Sequence, residues 1–309
     1  MLTNTSQRIL EEFQIRKSKK QKAAFRDWLG GELRAMGYDP REESGFAARN
    51  LVAGDPERAE VLLTAHYDTC AAMPIPNFIT PRNLFWYGLY QLFLTAAIIL
   101  AGAAVEILVI AVFDPSPVVA ILTMYAVVGL CFWWLLDGPA NKHTVNDNTS
   151  GVLTLVELAQ AMPEHLRDKV CFVFFDNEEK GLFGSAAFAK AHKAAKKHTL
   201  VLNFDCVSDG NSIQFFPAKG LKKDAAFVER LTKAFPAEGE KTAQVVTGFG
   251  FYPSDQKNFV NGVGVCALKK NRIFGYYMDR IHTKRDTVLE EENIRFLRDG
   301  VIRFLNAEQ

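Results

Sequence analysis

Two long apolar runs restrict what this chain can fold into more than any other feature. Between Leu84 and Phe113 the only charged residue is Glu106, and between Pro117 and Leu136 there is none. Each run reaches the ~20 apolar residues that a helix needs to cross a bilayer. Prolines in the short segment between the runs block a continuous helix. We therefore predict a two-helix transmembrane hairpin. The alternative is a hydrophobic lid or dimerisation hairpin on a soluble protein.

The ends of the two runs carry residues that are typical of a membrane surface. Aromatic side chains lie where each run joins the rest of the chain, and these are Phe85, Trp86, Tyr87, Tyr90, Trp133 and Trp134. Arg82 and Lys142 flank the hairpin at that end, whereas the far turn carries only Asp114. By the positive-inside rule, the remaining domain lies on the cytoplasmic side. The five cysteines form no CxxC pair, which favours the same reducing compartment.

Outside the hairpin, segments typical of strands and of helices alternate. Strand patterns occupy residues 49–53, 61–65, 169–175, 200–205, 212–216 and 263–269. Helix patterns occupy residues 3–37, 149–162, 182–196, 222–235 and 290–305. The alternation predicts an α/β fold, a three-layer sandwich with a mostly parallel central sheet. We expect residues 1–82 and 138–309 to form one α/β domain, interrupted by the hairpin at residues 83–137.

The overall charge is close to zero, at +1, so composition gives no reason to expect nucleic-acid binding. A local excess of positive charge occurs in the first helix pattern, at Arg16, Lys17, Lys19, Lys20 and Lys22. We interpret this cluster as a solvated helix face. The alternative, given the hairpin that follows, is contact with anionic lipid headgroups.

Residues with metal-binding side chains follow several of the apolar strand patterns. In α/β sheets, functional residues gather at the carboxyl ends of the strands. Zinc binds imidazole nitrogen and carboxylate oxygen, and a pair of zinc ions needs about five such ligands. The candidates are His66, Asp147, Glu179, Asp205 and His282. Together they predict a two-metal hydrolase, although each of them alone could be a core, cap or turn residue.

Two further acids fit roles beside the metals. Glu178 and Glu179 are adjacent in an extended segment and point in different directions, so one can bind metal while the other acts as a general base. Asp68 lies two residues after His66, where it can accept the second ring proton of that imidazole.

Six short motifs carry a resemblance to a known family. They are His66-Tyr67-Asp68-Thr69, Asn146-Asp147-Asn148-Thr149-Ser150-Gly151, Asn177-Glu178-Glu179-Lys180-Gly181-Leu182-Phe183-Gly184-Ser185, Asn203-Phe204-Asp205, Ser254-Asp255-Gln256 and Ile281-His282-Thr283-Lys284-Arg285-Asp286-Thr287. In this order they resemble the successive blocks of the M28 family of zinc peptidases. That family includes bacterial aminopeptidases and, more distantly, glutaminyl cyclases. The resemblance implies a zinc-peptidase/phosphorylase-like fold.

The resemblance also implies a role for each residue. His66 and Asp205 would hold one Zn2+, Glu179 and His282 a second, and Asp147 would bridge them. Glu178 would be the general base that activates a metal-bridging hydroxide, and Asp68 would orient His66. The peptide bond Asp147-Asn148 is expected to be strained. Tyr252 is a candidate for substrate binding, at a position that Phe251 could also hold.

We therefore expect a membrane-anchored dizinc metallopeptidase, above all an aminopeptidase, that acts on a peptide or an N-terminal amide. The alternatives are other amide-directed activities, namely glutaminyl cyclisation or amide deacylation, and a non-catalytic receptor or scaffold. Because the hairpin lies between two ligands, the active site should open near the membrane surface, and substrate could arrive along the bilayer. The oligomeric state stays open.

Overall fold

A twisted β-sheet forms the centre of the protein, whose computed structural model describes residues 1–307. The nine strands in this range are β1 Pro40–Gly45, β2 Ala48–Ala53, β3 Val61–His66, β4 Val170–Phe175, β5 Leu200–Phe204, β6 Ser212–Pro217, β7 Thr242–Val245, β8 Gly262–Asn271 and β9 Gly275–Tyr277. Their order is β1-β2-β4-β3-β5-β8-β6-β7, with β9 paired to β8. The four central strands, β4-β3-β5-β8, are parallel, while β1, β2 and β6 pair antiparallel at their flanks. The sheet as a whole is therefore mixed, with the predicted parallel arrangement at its centre.

Helices cover both faces of this sheet. In chain order the helices are α1 Asn4–Glu12, α2 Lys19–Ala35, α3 Leu84–Phe113, α4 Pro117–Asp137, α5 Ser150–Ala161, α6 Phe183–Ala191, α7 Lys193–His198, α8 Ala225–Ala234 and α9 Glu291–Asn306. Of these, α3 and α4 form a hairpin and are not part of the layers on the sheet. Successive side chains of β4 point to opposite faces, as in any strand. Phe172 and Phe174 pack in the core beneath α2, α5 and α9, whereas Val173 and Phe175 pack against Phe188 of α6. The predicted three-layer α/β sandwich is confirmed.

The prediction of a single helix over residues 3–37 is wrong. α1 ends at Glu12, and Ser18 caps the start of α2 by forming a capping box with Gln21. The linker between them turns Arg16 into the interior, where it is fully buried, and Lys22 is also buried. The interpretation of the basic cluster as a solvated helix face is therefore wrong for these two residues. The helix predicted at 182–196 is likewise divided, at His192.

The predicted hairpin consists of α3 and α4, which pack against each other. Both helices are long and apolar enough to cross a membrane. Ile98 and Gly102 in α3 and Ala120 in α4 are their buried residues, and most of the other side chains are exposed. A side chain at Gly102 would bring Cβ within 3.0 Å of Val128. Glycine therefore allows the two helices to approach closely at this crossing.

The base of the hairpin is fastened to the α/β domain by hydrogen bonds. The indole N–H of Trp86 donates to the carbonyl of Ile273 at 3.2 Å, and that of Trp134 donates to Ala72 at 3.3 Å. Lys180 forms an ion pair with Asp137 at 2.6 Å. Both ends of the hairpin are thus held beside the loops that follow the central strands.

Candidate active site

The carboxyl ends of three neighbouring parallel strands bring the predicted site residues to one edge of the sheet. His66 is the last residue of β3 and pairs in register with Phe175 at the end of β4. Asp205 directly follows β5, and Glu178 and Glu179 follow β4 by a few residues. Asn177 and His282 have positive φ angles of 55° and 61°, so the chain turns sharply beside the metal-type side chains.

Asp147 comes from the irregular turn before α5. The peptide bond between Asp147 and Asn148 is cis, at the position that the family resemblance singled out. At Gly151 an added Cβ would lie 2.2 Å from the carbonyl oxygen of Phe204, so glycine is required for α5 to begin against the end of β5. The start of this helix thereby holds Asp147 next to Asp205.

The five predicted ligands form two groups that share Asp147. One carboxylate oxygen of Asp147 lies 3.4 Å from Nε2 of His66, and the other lies 2.9 Å from Nε2 of His282. On the His66 side, Asp205 Oδ1 is 3.6 Å from the same Nε2. On the His282 side, Glu179 Oε2 is 3.4 Å from the imidazole. Asp147 therefore stands between two imidazole–carboxylate pairs.

Carboxyl groups outnumber histidines in this site. Seven acids lie around the two histidines: Asp68, Asp147, Glu178, Glu179, Asp205, Asp255 and Asp286. Burial raises the pKa of Glu178 well above its usual value and that of Glu179 to about 8. One carboxylate oxygen of Glu179 is buried without a hydrogen-bond partner. Such a set of imidazole nitrogens and carboxylate oxygens fits divalent cations, and zinc accepts both donor types.

The sequence predicts that the carboxylate of Asp68 orients His66, but in the structure this carboxylate mainly accepts backbone N–H groups. The two carboxylate oxygens of Asp68 accept the backbone N–H groups of Glu178 at 3.0 Å and Glu179 at 3.3 Å. Its own carbonyl oxygen is 3.2 Å from Nδ1 of His66, slightly closer than its carboxylate at 3.5 Å. Asp68 thus holds both the glutamate pair and the imidazole.

Three supporting residues were not recognised from the sequence. Asp286 accepts the backbone N–H groups of Asn146 at 2.7 Å and of Asp147 at 3.0 Å, so it orients the shared carboxylate. Asp255 is fully buried beside the site, and burial raises its pKa to about 7. Asp255 and Asp286 both lie in motifs that resemble the M28 family. The sequence does not show which groups these two acids contact.

The third unrecognised residue is Arg16. Its guanidinium donates to the carbonyls of Phe13 and Tyr67 and to the hydroxyl of Thr149. Arg16 therefore ties the linker between α1 and α2 to both the His66 loop and the start of α5. The sequence does not indicate this role, because Arg16 lies in a basic cluster whose pattern predicts a solvated helix face.

A cavity of about 450 Å³ opens in front of the five ligands. Its remaining wall is largely apolar and includes Phe251 and Tyr252, together with Tyr87 from α3 and Leu136 from α4. The Tyr252 hydroxyl donates to the carbonyl oxygen of Asp205 at 3.0 Å. The two candidates for the substrate-binding position, Tyr252 and Phe251, therefore both line the cavity beside the predicted ligands.

Comparisons with known proteins identify the family and the fold of the chain. The sequence pattern of peptidase family M28 matches residues 126–298. No curated protein sequence matches the chain significantly.

Many solved structures share the fold, among them the following three. A Zn-dependent exopeptidase from Parabacteroides distasonis is 17% identical, with 97% of this chain and 94% of that chain covered and a TM-score of 0.59. A glutaminyl cyclase from Tannerella forsythia is 16% identical, with coverages of 98% and 96% and a TM-score of 0.59. A leucine aminopeptidase precursor from Bacteroides thetaiotaomicron is 12% identical, with coverages of 98% and 94% and a TM-score of 0.56. At these identities the similarity establishes the fold alone.

Proposed function

The chain belongs to peptidase family M28, and from that premise we propose that it is a membrane-anchored dizinc aminopeptidase. The observation that carries the proposal is Asp147, whose two oxygens face His66 at 3.4 Å and His282 at 2.9 Å. A carboxylate between two imidazole–carboxylate pairs suits a site for two neighbouring cations. His66 and Asp205 would hold one zinc, Glu179 and His282 the other, and Asp147 both. When bound, zinc polarises a carbonyl and makes water more acidic.

Glu178 is the general base in this proposal. Its backbone is fixed by the hydrogen bond to Asp68, and its carboxylate lies with His66 and Glu179 in one cluster of ligand atoms. The carboxylate of Glu178 takes a proton from the attacking water as the new C–O bond forms. It then passes that proton to the amine nitrogen as the C–N bond breaks, so that a free amino acid and a shortened peptide leave.

The amino-terminal side chain of the substrate would occupy the apolar wall of the cavity. Tyr87, Leu136 and Phe251 supply much of this wall, which favours an apolar side chain over a charged one. Because Tyr87 and Leu136 belong to the hairpin, the cavity opens beside the proposed membrane surface. A peptide tethered to the bilayer would therefore reach the site more readily than a freely diffusing one.

For the membrane arrangement we propose that α3 and α4 cross the bilayer, with residues 1–82 and 138–309 together on the cytoplasmic side. The length and apolar character of both helices support the spanning part. The flanking Arg82 and Lys142 support the orientation.

Replacing Glu178 by Gln tests the chemical proposal. The variant should bind zinc as the unchanged protein does but hydrolyse amino-acid amides and short peptides about 100- to 10,000-fold more slowly, because it cannot accept a proton. The exposed Glu164→Gln is the matched control and should retain full activity. Zinc content and hydrolysis are measured on the same samples. Hydrolysis undiminished in Glu178→Gln would refute the role of Glu178, and no hydrolysis in the unchanged, zinc-loaded protein would favour a scaffold.

A second candidate is glutaminyl cyclisation, which is favoured by one observation. The glutaminyl cyclase from Tannerella forsythia matches the fold with the same TM-score of 0.59 as the exopeptidase. A peptide with amino-terminal glutamine distinguishes the two reactions. An aminopeptidase releases free glutamine, whereas a cyclase releases ammonia and leaves the peptide at full length with a pyroglutamyl end. Deacylation of N-acyl peptides is tested in the same screen.

A further inference from the structure

A second large cavity lies next to the active-site cavity, and Lys180 lines both. It has a volume of about 800 Å³ and lies between α2, the turn joining β1 to β2, and the segment that follows β4. We call it the lysine pocket, after its wall of Lys17, Lys19, Lys20, Lys22, Arg49 and Lys180. Among the described residues, Asp176 is the one carboxylate that lines it. The pocket is therefore strongly positive.

Two of these basic side chains already form ion pairs within the protein. Lys22 donates to Asp176 and Asn177, both at 2.6 Å, and Lys180 pairs with Asp137 at 2.6 Å. By contrast, within residues 1–307 the side chains of Lys19, Lys20 and Arg49 have no hydrogen-bond or ion-pair partner. All three are exposed to the pocket and to solvent. Three unpaired cations around one cavity are suited to an anion.

The helix geometry strengthens this preference. Lys19 and Lys20 occupy the first turn of α2, which contains no acidic residue. The N-terminal end of a helix carries partial positive charge, so cations there are unfavourable unless an anion is close by. An anion in the pocket would interact with both lysines and with the helix end at the same time.

The position of the pocket indicates where that anion comes from. Lys17 donates to the carbonyl of Leu136 at 3.1 Å, and Lys180 pairs with Asp137, so the pocket adjoins the last turn of α4. If α4 spans the bilayer as proposed, that turn lies at the level of the lipid headgroups. Phe46, at the tip of the β1–β2 turn beside the pocket, is 81% exposed and packs on Phe183. An exposed aromatic side chain next to lysines is typical of surfaces that contact lipid.

We propose that the lysine pocket binds the phosphate of an anionic membrane phospholipid, such as phosphatidylglycerol. The inference rests on the membrane insertion in the proposed function but not on the peptidase chemistry. Bound lipid would hold the α/β domain against the bilayer, with the mouth of the active-site cavity beside the membrane surface. Each basic side chain near an anionic surface contributes to this attachment.

The test uses the full chain in mild detergent and counts retained lipids by native mass spectrometry after addition of phosphatidylglycerol or phosphatidylcholine. The test variant is the triple substitution Lys19→Gln, Lys20→Gln and Arg49→Gln. The matched control removes three charges from exposed positions of α7, outside the pocket, as Lys193→Gln, Lys196→Gln and Lys197→Gln. We expect the unchanged protein and the control to retain phosphatidylglycerol over phosphatidylcholine. The test variant should bind phosphatidylglycerol about 100-fold more weakly.

Equal retention of phosphatidylglycerol by the test variant would overturn the proposal. A competition arm adds inorganic phosphate at millimolar concentration. If phosphate displaces the lipid completely, the site prefers a soluble anion and the lipid assignment fails. Alkaline extraction of membranes and peptide hydrolysis are measured in parallel. They report separately on hairpin insertion and on catalysis, and neither should differ between the test variant and the control.

Discussion

The hairpin exposes large apolar side chains such as Leu92, Leu100 and Phe113, whereas the α/β domain buries carboxylates such as Asp147 and Asp205. Exposed apolar surface of this extent is unfavourable in water, and buried like charges are unfavourable without cations. The chemical character of each region therefore indicates the environment that stabilises it. The hairpin is suited to lipid and the acid cluster to divalent metal.

The two regions also differ in how their structure is stabilised. The α/β domain depends on particular hydrogen bonds to buried polar groups, such as those of Arg16 and Asp286. The hairpin has few polar side chains and depends on close helix packing at Gly102. The hairpin and the α/β domain meet at the active-site cavity, where Tyr87 and Leu136 of the hairpin line the wall beside the predicted metal ligands. Three experiments probe this contrast.

Deletion of the hairpin should have the largest effect. Residues 84–136 are replaced by a short flexible linker, and hydrolysis is compared on a soluble peptide and on the same peptide attached to a lipid vesicle. Loss of the cavity wall from Tyr87 and Leu136 affects both substrates. Activity on the tethered peptide should fall about 100-fold further than activity on the soluble one, because enzyme and substrate no longer share a surface. Zinc content serves as the control for an intact site. If both substrates are hydrolysed as before, the hairpin has no part in delivering substrate.

Replacement of the buried Arg16 by Met should destabilise the α/β domain by about 3 kcal/mol, because the carbonyls of Phe13 and Tyr67 lose their donor. The measurement is thermal unfolding of the full chain in detergent, followed by the loss of hydrolysis. Arg8→Met is the control, since Arg8 is exposed and its contacts, an ion pair with Glu12 at 3.0 Å and the Trp28 ring at 5.4 Å, lie at the surface and contribute little. Similar unfolding temperatures for the two variants would show that Arg16 is dispensable.

Replacement of Gly102 by Leu should have a smaller effect, confined to the hairpin. A Cβ at this position would lie 3.0 Å from Val128 and 3.2 Å from Met124, so the two helices must separate, at a cost of about 1–3 kcal/mol. Gly129→Leu is the matched control, because nothing lies within 4 Å of its added Cβ. Helix association is followed by titration with sodium dodecyl sulfate. If both variants dissociate at the same detergent concentration, packing at Gly102 does not stabilise the hairpin.

Some features could be predicted because they depend on short stretches of sequence. The apolar runs of α3 and α4 and the buried central strands are visible from residue type alone, and the M28 motifs follow the strands in order. The short strands β1, β7 and β9 were missed. Most residues of β1 are polar and at least partly exposed, so they show no apolar run, and pairing with neighbouring strands defines the element.

What the sequence by itself determined is the set of chemical groups and their order along the chain: two apolar helices, apolar strands ending in acids or histidine, and candidate metal ligands. Only the tertiary structure decided which of these groups meet. Arg16 is separated by 133 residues from its partner Thr149, and Asp286 by 140 from the backbone of Asn146. Such contacts leave no local pattern, because a buried ion or carboxylate is stabilised by partners that only folding brings within hydrogen-bond distance.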